Sequence, residues 1–117
     1  MDELIKSLID RGVLKTPWII DAFSKVDRVD FVPERLRNLT YEDEALPIGH
    51  GQTISQPYTV AFMLELLEPQ KGGHILDIGS GSGWQSALLA EIVGDSGRIY
   101  SIEINPSVFE IGKTNIA

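Results

Sequence analysis

The stretch HILDIGSGSG, residues 74–83, combines a short β-prone apolar run with three glycines that alternate with serines. The apolar run lies between glycines, which predicts a strand buried on both faces of a parallel sheet. The glycines predict a tight turn, because a residue without Cβ adopts positive φ at little cost and lets a ligand approach the backbone closely. We therefore expect a buried strand that ends in a ligand-binding turn.

A helix and a second strand are predicted directly after this turn. Residues 84–93, WQSALLAEIV, carry apolar side chains at helical spacing and stop at Gly94. Residues 98–104, RIYSIEI, are β-rich and place Glu103 near the carboxyl end of a strand. A strand, a glycine turn and a helix begin a βαβ unit, and ligands bind at the helix N-terminus and the carboxyl edge of such a sheet. This order predicts a site for a nucleotide-like cofactor.

The glycine spacing disfavours two common nucleotide-binding motifs. A dinucleotide fingerprint needs a small apolar residue or glycine at its third position, where the two frames place Trp84 and Ser86. A P-loop needs a lysine after the glycines, and the sequence has none there. An NAD-linked oxidoreductase and a P-loop phosphate site are both disfavoured.

The composition limits the class of protein. The 117 residues, of which 43% are hydrophobic and 23% charged, are typical of one globular domain. The formal charge of −7 argues against nucleic acid as the main partner. The sequence has no cysteine, and hence no disulfide framework, thiolate nucleophile or zinc-finger ligand set; we expect no metal. No apolar run approaches the length of a membrane span, and the acidic start is unlike a signal peptide, so we expect a cytoplasmic protein without membrane contact.

Two helices are predicted near the start of the chain. Apolar residues in positions 1–12 form one face of a short helix closed by Gly12. Thr16 and Pro17 begin a second helix as its N-cap and first-turn residues. We expect the apolar side chains of both helices to face the core: Leu4, Ile5, Leu8, Ile9, Trp18, Ile19, Ala22, Phe23 and Val26.

A connector and an acidic loop follow the two helices. The connector spans residues 27–39 and contains a turn that begins at Pro33. Its arginines, Arg28, Arg35 and Arg37, are expected to be surface charges. The acidic loop is Tyr41–Ala45.

Residues 46–68, LPIGHGQTISQPYTVAFMLELLE, form the second informative stretch. Two glycines flank His50 in a predicted loop, and Pro57 marks the first turn of a helix with Ser55 or Gln56 at its cap. Ser55 has two interpretations: a helix N-cap that satisfies backbone amides, or part of a carboxylate site, because free amides at a helix start also bind anions. The predicted apolar face of this helix includes Val60, Ala61, Leu64 and Leu67.

The pattern apolar-acidic-apolar-Gly-x-Gly-x-Gly at residues 76–83 resembles motif I of the class I S-adenosylmethionine-dependent methyltransferases. The resemblance implies an α/β, Rossmann-like doubly wound sheet preceded by an N-terminal helical segment, with S-adenosylmethionine as cofactor. It also implies that the glycine turn passes under the amino acid part of the cofactor, near Asp77 at the ammonium. Glu103 would bind the ribose hydroxyls, which suits a carboxylate. The implied cofactor-binding residues are Asp77, Gly79, Ser80, Gly81, Gly83 and Glu103.

Residues 51–58, GQTISQPY, followed by LDIGSGSG, resemble the protein-L-isoaspartate (D-aspartate) O-methyltransferases. This resemblance implies methyl transfer from S-adenosylmethionine to the α-carboxylate of L-isoaspartyl residues in damaged proteins, which starts repair through a succinimide. Ser55 would be the catalytic residue, with Thr53, Ile54 and Ser55 binding the substrate. We expect Ser55 to orient the carboxylate and not to attack, because neither histidine of the chain has the supporting carboxylate motif of a general base.

The resemblance to that family divides the sequence into three parts. These are a helical extension (1–45), a substrate-side loop and helix (46–68) and the start of a cofactor-binding βαβ unit (72–117). Further strands would be needed to complete the sheet, so we expect either a fragment of a longer protein or a chain that self-associates to cover its apolar faces. Two alternatives stay open: another class I methyltransferase that shares motif I, and a non-catalytic binding or assembly module.

Overall fold

The computed structural model describes residues 1–116 of the chain. Two short 3-10 helices, Arg28–Phe31 and Glu34–Leu39, form the connector. The other elements, in chain order, are α1 (Asp2–Asp10), α2 (Pro17–Lys25), β1 (Leu46–Gly49), β2 (Gln52–Ile54), α3 (Pro57–Leu67), β3 (His74–Ile78), α4 (Trp84–Val93), β4 (Arg98–Ile102) and α5 (Pro106–Ile116).

The predicted strand, turn, helix and second strand are all present. β3 and β4 pair in parallel along their whole length, from His74 opposite Arg98 to Ile78 opposite Ile102. The crossover helix α4 ends at Val93 with Gly94 as its C-cap, as the sequence predicts. β4 ends one residue before Glu103, so this carboxylate lies at the carboxyl edge of the sheet.

The prediction that β3 is buried on both faces is wrong for residues 1–116. Leu76 and Ile78 are 54% and 75% exposed, and Tyr100 and Ile102 on β4 are exposed as well. These side chains share one face of the sheet because side chains alternate along a strand. The opposite face carries Ile75 and packs against the core. Burial of both faces requires helices on both sides of the sheet, and the described residues place helices on only one side.

The core lies where α2 packs against α4 and α1 packs against α2. Leu8, Ile19, Phe23 and Leu88 are fully buried, and Trp84 is 2% exposed. The rings of Phe23 and Trp84 meet edge to face with their centroids 5.7 Å apart. The helical extension is therefore packed directly against the first helix of the βαβ unit.

Three apolar side chains that were expected in the core lie at the surface. Trp18 is 46% exposed, and its indole N–H donates to the carbonyl oxygen of Pro69 at 2.9 Å, so its polar atom is paired while part of the ring stays in solvent. Ile9 at the end of α1 is 41% exposed and Leu67 at the end of α3 is 53% exposed. The last two occupy the final turns of their helices, where no neighbouring element covers them within the described chain.

A β-hairpin that the sequence does not predict connects the acidic loop to α3. β1 and β2 are antiparallel, with Leu46 opposite Ile54, and the chain reverses at His50, which has a φ of 55°. The alternate side chains Leu46, Ile48 and Ile54 are buried. The strands are only four and three residues long and contain a proline, so their pattern is weak in the sequence.

Within residues 1–116, no helix has the length and apolar character that crossing a membrane would require.

Candidate active site

A cleft of about 220 Å³ separates the end of the hairpin from the glycine turn. One wall is formed by Thr53, Ile54 and Ser55 together with Val60 and Met63 of α3. The other wall comes from the end of β3, the turn and the first residues of α4: Asp77, Ile78, Gly79, Ser80, Gly81, Ser82, Trp84 and Gln85. The fold thus brings together the two stretches that the sequence singles out separately.

The glycine turn has the backbone conformation that its sequence predicts. Gly79, Gly81 and Gly83 have φ values of 77°, 57° and 96°. A Cβ added at Gly79 would meet no atom within 4 Å, so open space lies against the backbone there. The amides of Gly79 and Ser80 donate to the carbonyl oxygen of Ile102 at 2.7 and 3.0 Å. These two bonds attach the turn to the end of β4.

Asp77 is held by hydroxyl and amide groups of α4. Its side chain is almost fully buried, and Oδ2 accepts a hydrogen bond from the Ser86 hydroxyl at 2.5 Å. Oδ1 accepts from Nε2 of Gln85 at 3.2 Å, and the Ser86 hydroxyl also lies 2.7 Å from that of Ser101. A carboxylate has about four acceptor positions, so Asp77 keeps capacity for a donor from a ligand in the cleft.

Glu103 contacts the glycine turn but does not line the cleft. Its Oε1 accepts from the amide of Gly81 at 2.9 Å, and its Oε2 accepts from the amide of Asn105 at 3.1 Å. The half-buried carboxylate therefore connects the turn to the start of α5. Both oxygens keep free acceptor positions.

Helix α5 supports the glycine turn through residues that sequence analysis missed. A Cβ at Gly112 would lie 2.5 Å from the carbonyl oxygen of Gly81, so only glycine allows this approach. Asn115 donates from Nδ2 to the carbonyl oxygen of Ser82 at 3.0 Å. Gly83, at the end of the turn, packs against the side chain of Ile116 on α5. A glycine inside a helical pattern was the available sequence signal for this close packing.

Ser55 lies exposed on the hairpin wall and does not cap α3. Gln56 occupies the N-cap position, as one of the two predicted options, but its side chain accepts no hydrogen bond from a backbone amide of the helix. Its Oε1 accepts from the Thr59 hydroxyl instead, at 3.2 Å. The N-cap interpretation of Ser55 is therefore wrong. The Ser55 carbonyl oxygen accepts a hydrogen bond from Nη2 of Arg28 at 3.0 Å.

The first turn of α3 is capped instead by Asp43 from the acidic loop. Its Oδ1 accepts from the amide of Tyr58 at 2.8 Å, and its Oδ2 forms an ion pair with Arg11 at 2.6 Å. Its carbonyl oxygen accepts from the side chain of Gln56 at 3.2 Å. Sequence analysis missed this role because Asp43 lies 15 residues before Tyr58, whose amide it caps.

The prediction that Arg28 is a surface charge is wrong. Its side chain is fully buried, and Nη1 donates to the carbonyl oxygens of Thr40 and Glu42 at 2.7 and 3.1 Å. Nη2 donates to the carbonyl oxygens of Glu44 and Ser55 at 2.9 and 3.0 Å. A buried cation is tolerated when its donors are hydrogen-bonded, and four of the five guanidinium N–H donors are paired with these carbonyls. Within residues 1–116 the fifth donor, on Nε, has no partner.

The charge of Arg28 persists at neutral pH despite its burial. Burial lowers the pKa of Arg28 to about 10, although the nearby charges of Asp43 and Glu44 act in the opposite direction. Its guanidinium carbon lies 5.2 Å from the centroid of the Trp84 ring, which is a cation–π arrangement. Arg28 therefore touches residues on both walls of the cleft.

The two histidines lie outside the cleft. His50 is exposed at the tip of the hairpin, and His74 is exposed at the start of β3. In the part of the chain that the structure describes, no group of three or more His, Cys, Asp or Glu side chains could hold a metal ion.

A parallel strand pair with a positive-φ glycine turn, a crossover helix and an acidic residue at the next strand end is the arrangement of a class I methyltransferase fold. A family model described as Protein-L-isoaspartate(D-aspartate) O-methyltransferase matches residues 1–117. The chain belongs to this family.

Relatives of known name agree with this assignment. The chain is 48% identical over 108 residues to the protein-L-isoaspartate O-methyltransferase of Ignicoccus hospitalis, covering 92% of this chain and 51% of that protein. It is 46% identical over 113 residues to that of Aeropyrum pernix, covering 97% of this chain and 44% of the relative. The chain thus spans about half the length of the curated relatives it matches.

Solved structures show the same fold. One is described as a protein-L-isoaspartate O-methyltransferase from Plasmodium falciparum in complex with S-adenosyl-L-homocysteine. It superposes with a TM-score of 0.87 at 26% identity, covering 97% of this chain and 53% of that one. Another protein-L-isoaspartate O-methyltransferase gives 0.86 at 30% identity, covering 98% and 37% of the two chains.

Proposed function

We propose that this protein transfers a methyl group from S-adenosylmethionine to the carboxylate of L-isoaspartyl residues in damaged proteins, as a step of protein repair. The observation that carries the proposal is the single cleft with Ser55 on one wall and the glycine turn on the other. Membership of the protein-L-isoaspartate O-methyltransferase family supports it. So does the presence of S-adenosyl-L-homocysteine in the Plasmodium falciparum relative.

The glycine turn fits the cofactor chemically. Open space at the Cβ position of Gly79 admits a ligand against the backbone, and the free oxygen capacity of Asp77 suits an ammonium. The residues proposed to hold the cofactor are Asp77, Gly79, Ser80, Gly81, Gly83 and Glu103. When bound, S-adenosylmethionine supplies an electrophilic methyl group on its sulfonium. Glu103 already accepts one hydrogen bond from the Gly81 amide. In this proposal its remaining acceptor positions bind the ribose hydroxyls.

The role proposed for Ser55 is orientation. A substrate carboxylate with a pKa near ~4 is already ionised at neutral pH, so the reaction needs no general base. This agrees with the position of both histidines outside the cleft. Holding two reactants in line can account for roughly 7 to 11 kcal/mol of a barrier. In this proposal the Ser55 hydroxyl donates to the isoaspartyl carboxylate, and Thr53 and Ile54 complete the substrate wall.

The proposed partners are proteins and peptides that contain isoaspartyl residues. The net charge of −7 makes a nucleic acid substrate a poor fit. A cytoplasmic location is part of the same proposal, and the sequence, which has no cysteine, requires no oxidising compartment for disulfide formation.

The test is a methyl-transfer assay on the full-length protein with two peptides that differ only in an isoaspartyl or an ordinary aspartyl linkage. We expect methylation of the isoaspartyl peptide alone, and saturable one-site binding of S-adenosylhomocysteine by calorimetry. Equal methylation of both peptides would instead identify another class I methyltransferase. A folded protein that methylates neither peptide and does not bind S-adenosylhomocysteine would favour the binding or assembly module.

A further inference from the structure

We propose that Arg28 is a positioning residue that fixes the Ser55 backbone on the substrate wall of the cleft relative to Trp84 on the opposite wall. The inference rests on the proposed function of Ser55. Arg28 itself does not line the cleft. It acts through the two segments that it contacts.

The first contact is the set of hydrogen bonds from the two terminal nitrogens of Arg28, which we call the guanidinium fork. All four terminal N–H groups of the guanidinium donate to backbone carbonyl oxygens, three from residues 40–44 and one from Ser55. A planar guanidinium fixes the relative directions of its donors, which a lysine ammonium on a flexible stem cannot do. One rigid group therefore determines the distance between the acidic loop and the backbone of Ser55.

The second contact is the ring of Trp84. Trp84 is the first residue of α4, lines the cleft and is 2% exposed. The Arg28 guanidinium carbon lies 5.2 Å from its ring centroid, while Phe23 meets the same ring edge to face. The ring cannot move easily between these neighbours. Arg28 thus contacts a rigidly held side chain on the wall that contains the glycine turn, which we call the cofactor wall.

The charge of Arg28 gives an independent reason to look for a positioning role. Within residues 1–116 no ion pair compensates this buried guanidinium, and an apolar side chain could fill the space without desolvating a charge. Only a residue with several directed donors can bond four carbonyls from two separate segments. The same fork also leaves the side chain of Ser55 available to the cleft, because it bonds the carbonyl oxygen and not the hydroxyl.

The experiment compares Arg28→Lys, Arg28→Met and the control Arg37→Met in the full-length protein. Arg37 belongs to the same connector and is exposed, so its loss removes a charge without touching the cleft. Three readouts are needed: kcat and KM for an isoaspartyl peptide, the Kd of S-adenosylhomocysteine, and amide hydrogen exchange of peptides that cover residues 40–58 and 74–93.

For Arg28→Lys we expect kcat/KM for the peptide to fall by roughly tenfold or more, because small misplacement of a reacting group is costly. The Kd of S-adenosylhomocysteine should stay within about twofold, since lysine keeps a cation over Trp84. Exchange should rise in residues 40–58 and stay unchanged in 74–93. Arg28→Met should show the larger loss, and Arg37→Met should match the wild type in all three readouts.

Other outcomes would overturn the inference. An Arg28→Lys variant with wild-type kcat/KM and exchange would show that the fork does not position Ser55. Parallel loss of peptide turnover, product binding and protection across the whole chain, in Arg28→Lys as in Arg28→Met, would show a purely global structural role. If the wild type fails to methylate isoaspartyl peptides, the proposed function falls, and the exchange data still decide whether Arg28 fixes residues 40–58.

Discussion

The two walls of the cleft are built in different ways. The glycine turn lies inside one strand–turn–helix–strand unit, and its supporting bonds come from that unit and from α5, which follows it directly. The opposite wall, which we propose binds the substrate, depends on side chains from distant parts of the chain that bond backbone groups. Arg28 reaches the carbonyl of Ser55 across 27 residues, and Glu65 reaches the amide of Thr16 across 49.

This difference determines where each wall is sensitive to substitution. The proposed cofactor wall, formed by the glycine turn, tolerates little added volume, because the backbones of α5 and the turn approach each other closely at Gly112. The substrate wall depends on buried or half-buried polar groups outside the cleft, such as Asp43 and Glu65. Packing defects should therefore impair cofactor binding, and lost polar bonds should impair the hairpin and α3.

The largest expected effects separate the two walls directly. In the full-length protein, Ser55→Ala should lower kcat/KM for an isoaspartyl peptide roughly ten- to hundredfold, because it removes an orienting group. Product affinity should stay nearly unchanged. Glu103→Ala should weaken binding of S-adenosylhomocysteine by about 1.5–3 kcal/mol, the usual value for hydrogen bonds to a charged group. Steady-state kinetics and calorimetry measure both. If Ser55→Ala leaves transfer unchanged and lowers only the melting temperature, Ser55 has no role in orientation.

The next effect tests the packing of the cofactor wall. Gly112→Ala places a Cβ 2.5 Å from the carbonyl oxygen of Gly81, so α5 must move away from the turn. Overpacking of this kind costs about 1–3 kcal/mol, whereas Gly→Ala at an open helix position stabilises. Chemical denaturation and product titration should both show the loss. Thr114→Ala, at an exposed position of the same helix, is the control and should lower neither stability nor product affinity.

A smaller effect tests the distant cap of α3. Asp43→Ala removes the acceptor of the Tyr58 amide and should destabilise the protein by roughly 0.5–2 kcal/mol, as for other lost helix caps. Asp43→Asn keeps an acceptor oxygen and should retain most of the stability. The ion pair with Arg11 contributes little at the surface. Equal losses in the two variants would assign the effect to the ion pair and argue against the cap.

The smallest effect is a pH dependence at Glu65. Burial alone would raise the pKa of Glu65, but hydrogen bonds from the hydroxyl and amide of Thr16 and the amide of Lys15 outweigh it, so the pKa lies below 4.5. A carboxyl group with a lowered folded-state pKa stabilises the fold above its unfolded pKa, and this stabilisation is lost as pH falls through the folded value. Glu65→Gln should therefore lower the melting temperature at neutral pH. Below pH 4.5 the melting temperature of the variant should decrease less steeply with falling pH than that of the wild type. An unchanged acid slope would show that Glu65 is not the titrating group.

Predictions from sequence succeeded where a local pattern determines the backbone. The strand at 74–78 and the helix at 84–93 follow from apolar runs between glycines, and Pro57 marks the start of α3. They failed where a side chain has several available environments. Arg28 was expected at the surface, and Ser55 was a candidate cap, because neither the four carbonyls around Arg28 nor the carboxylate of Asp43 can be located from spacing.

The sequence by itself determined the glycine turn, the crossover helix and the acidic residue after β4, because their geometry depends on neighbours along the chain. Only the tertiary structure decided that Thr53–Ser55 faces this turn across one cleft, and that Arg28 and Asp43 support that segment. The physical reason is that a buried charge or a helix cap needs a partner, and folding alone determines which distant backbone group that partner is.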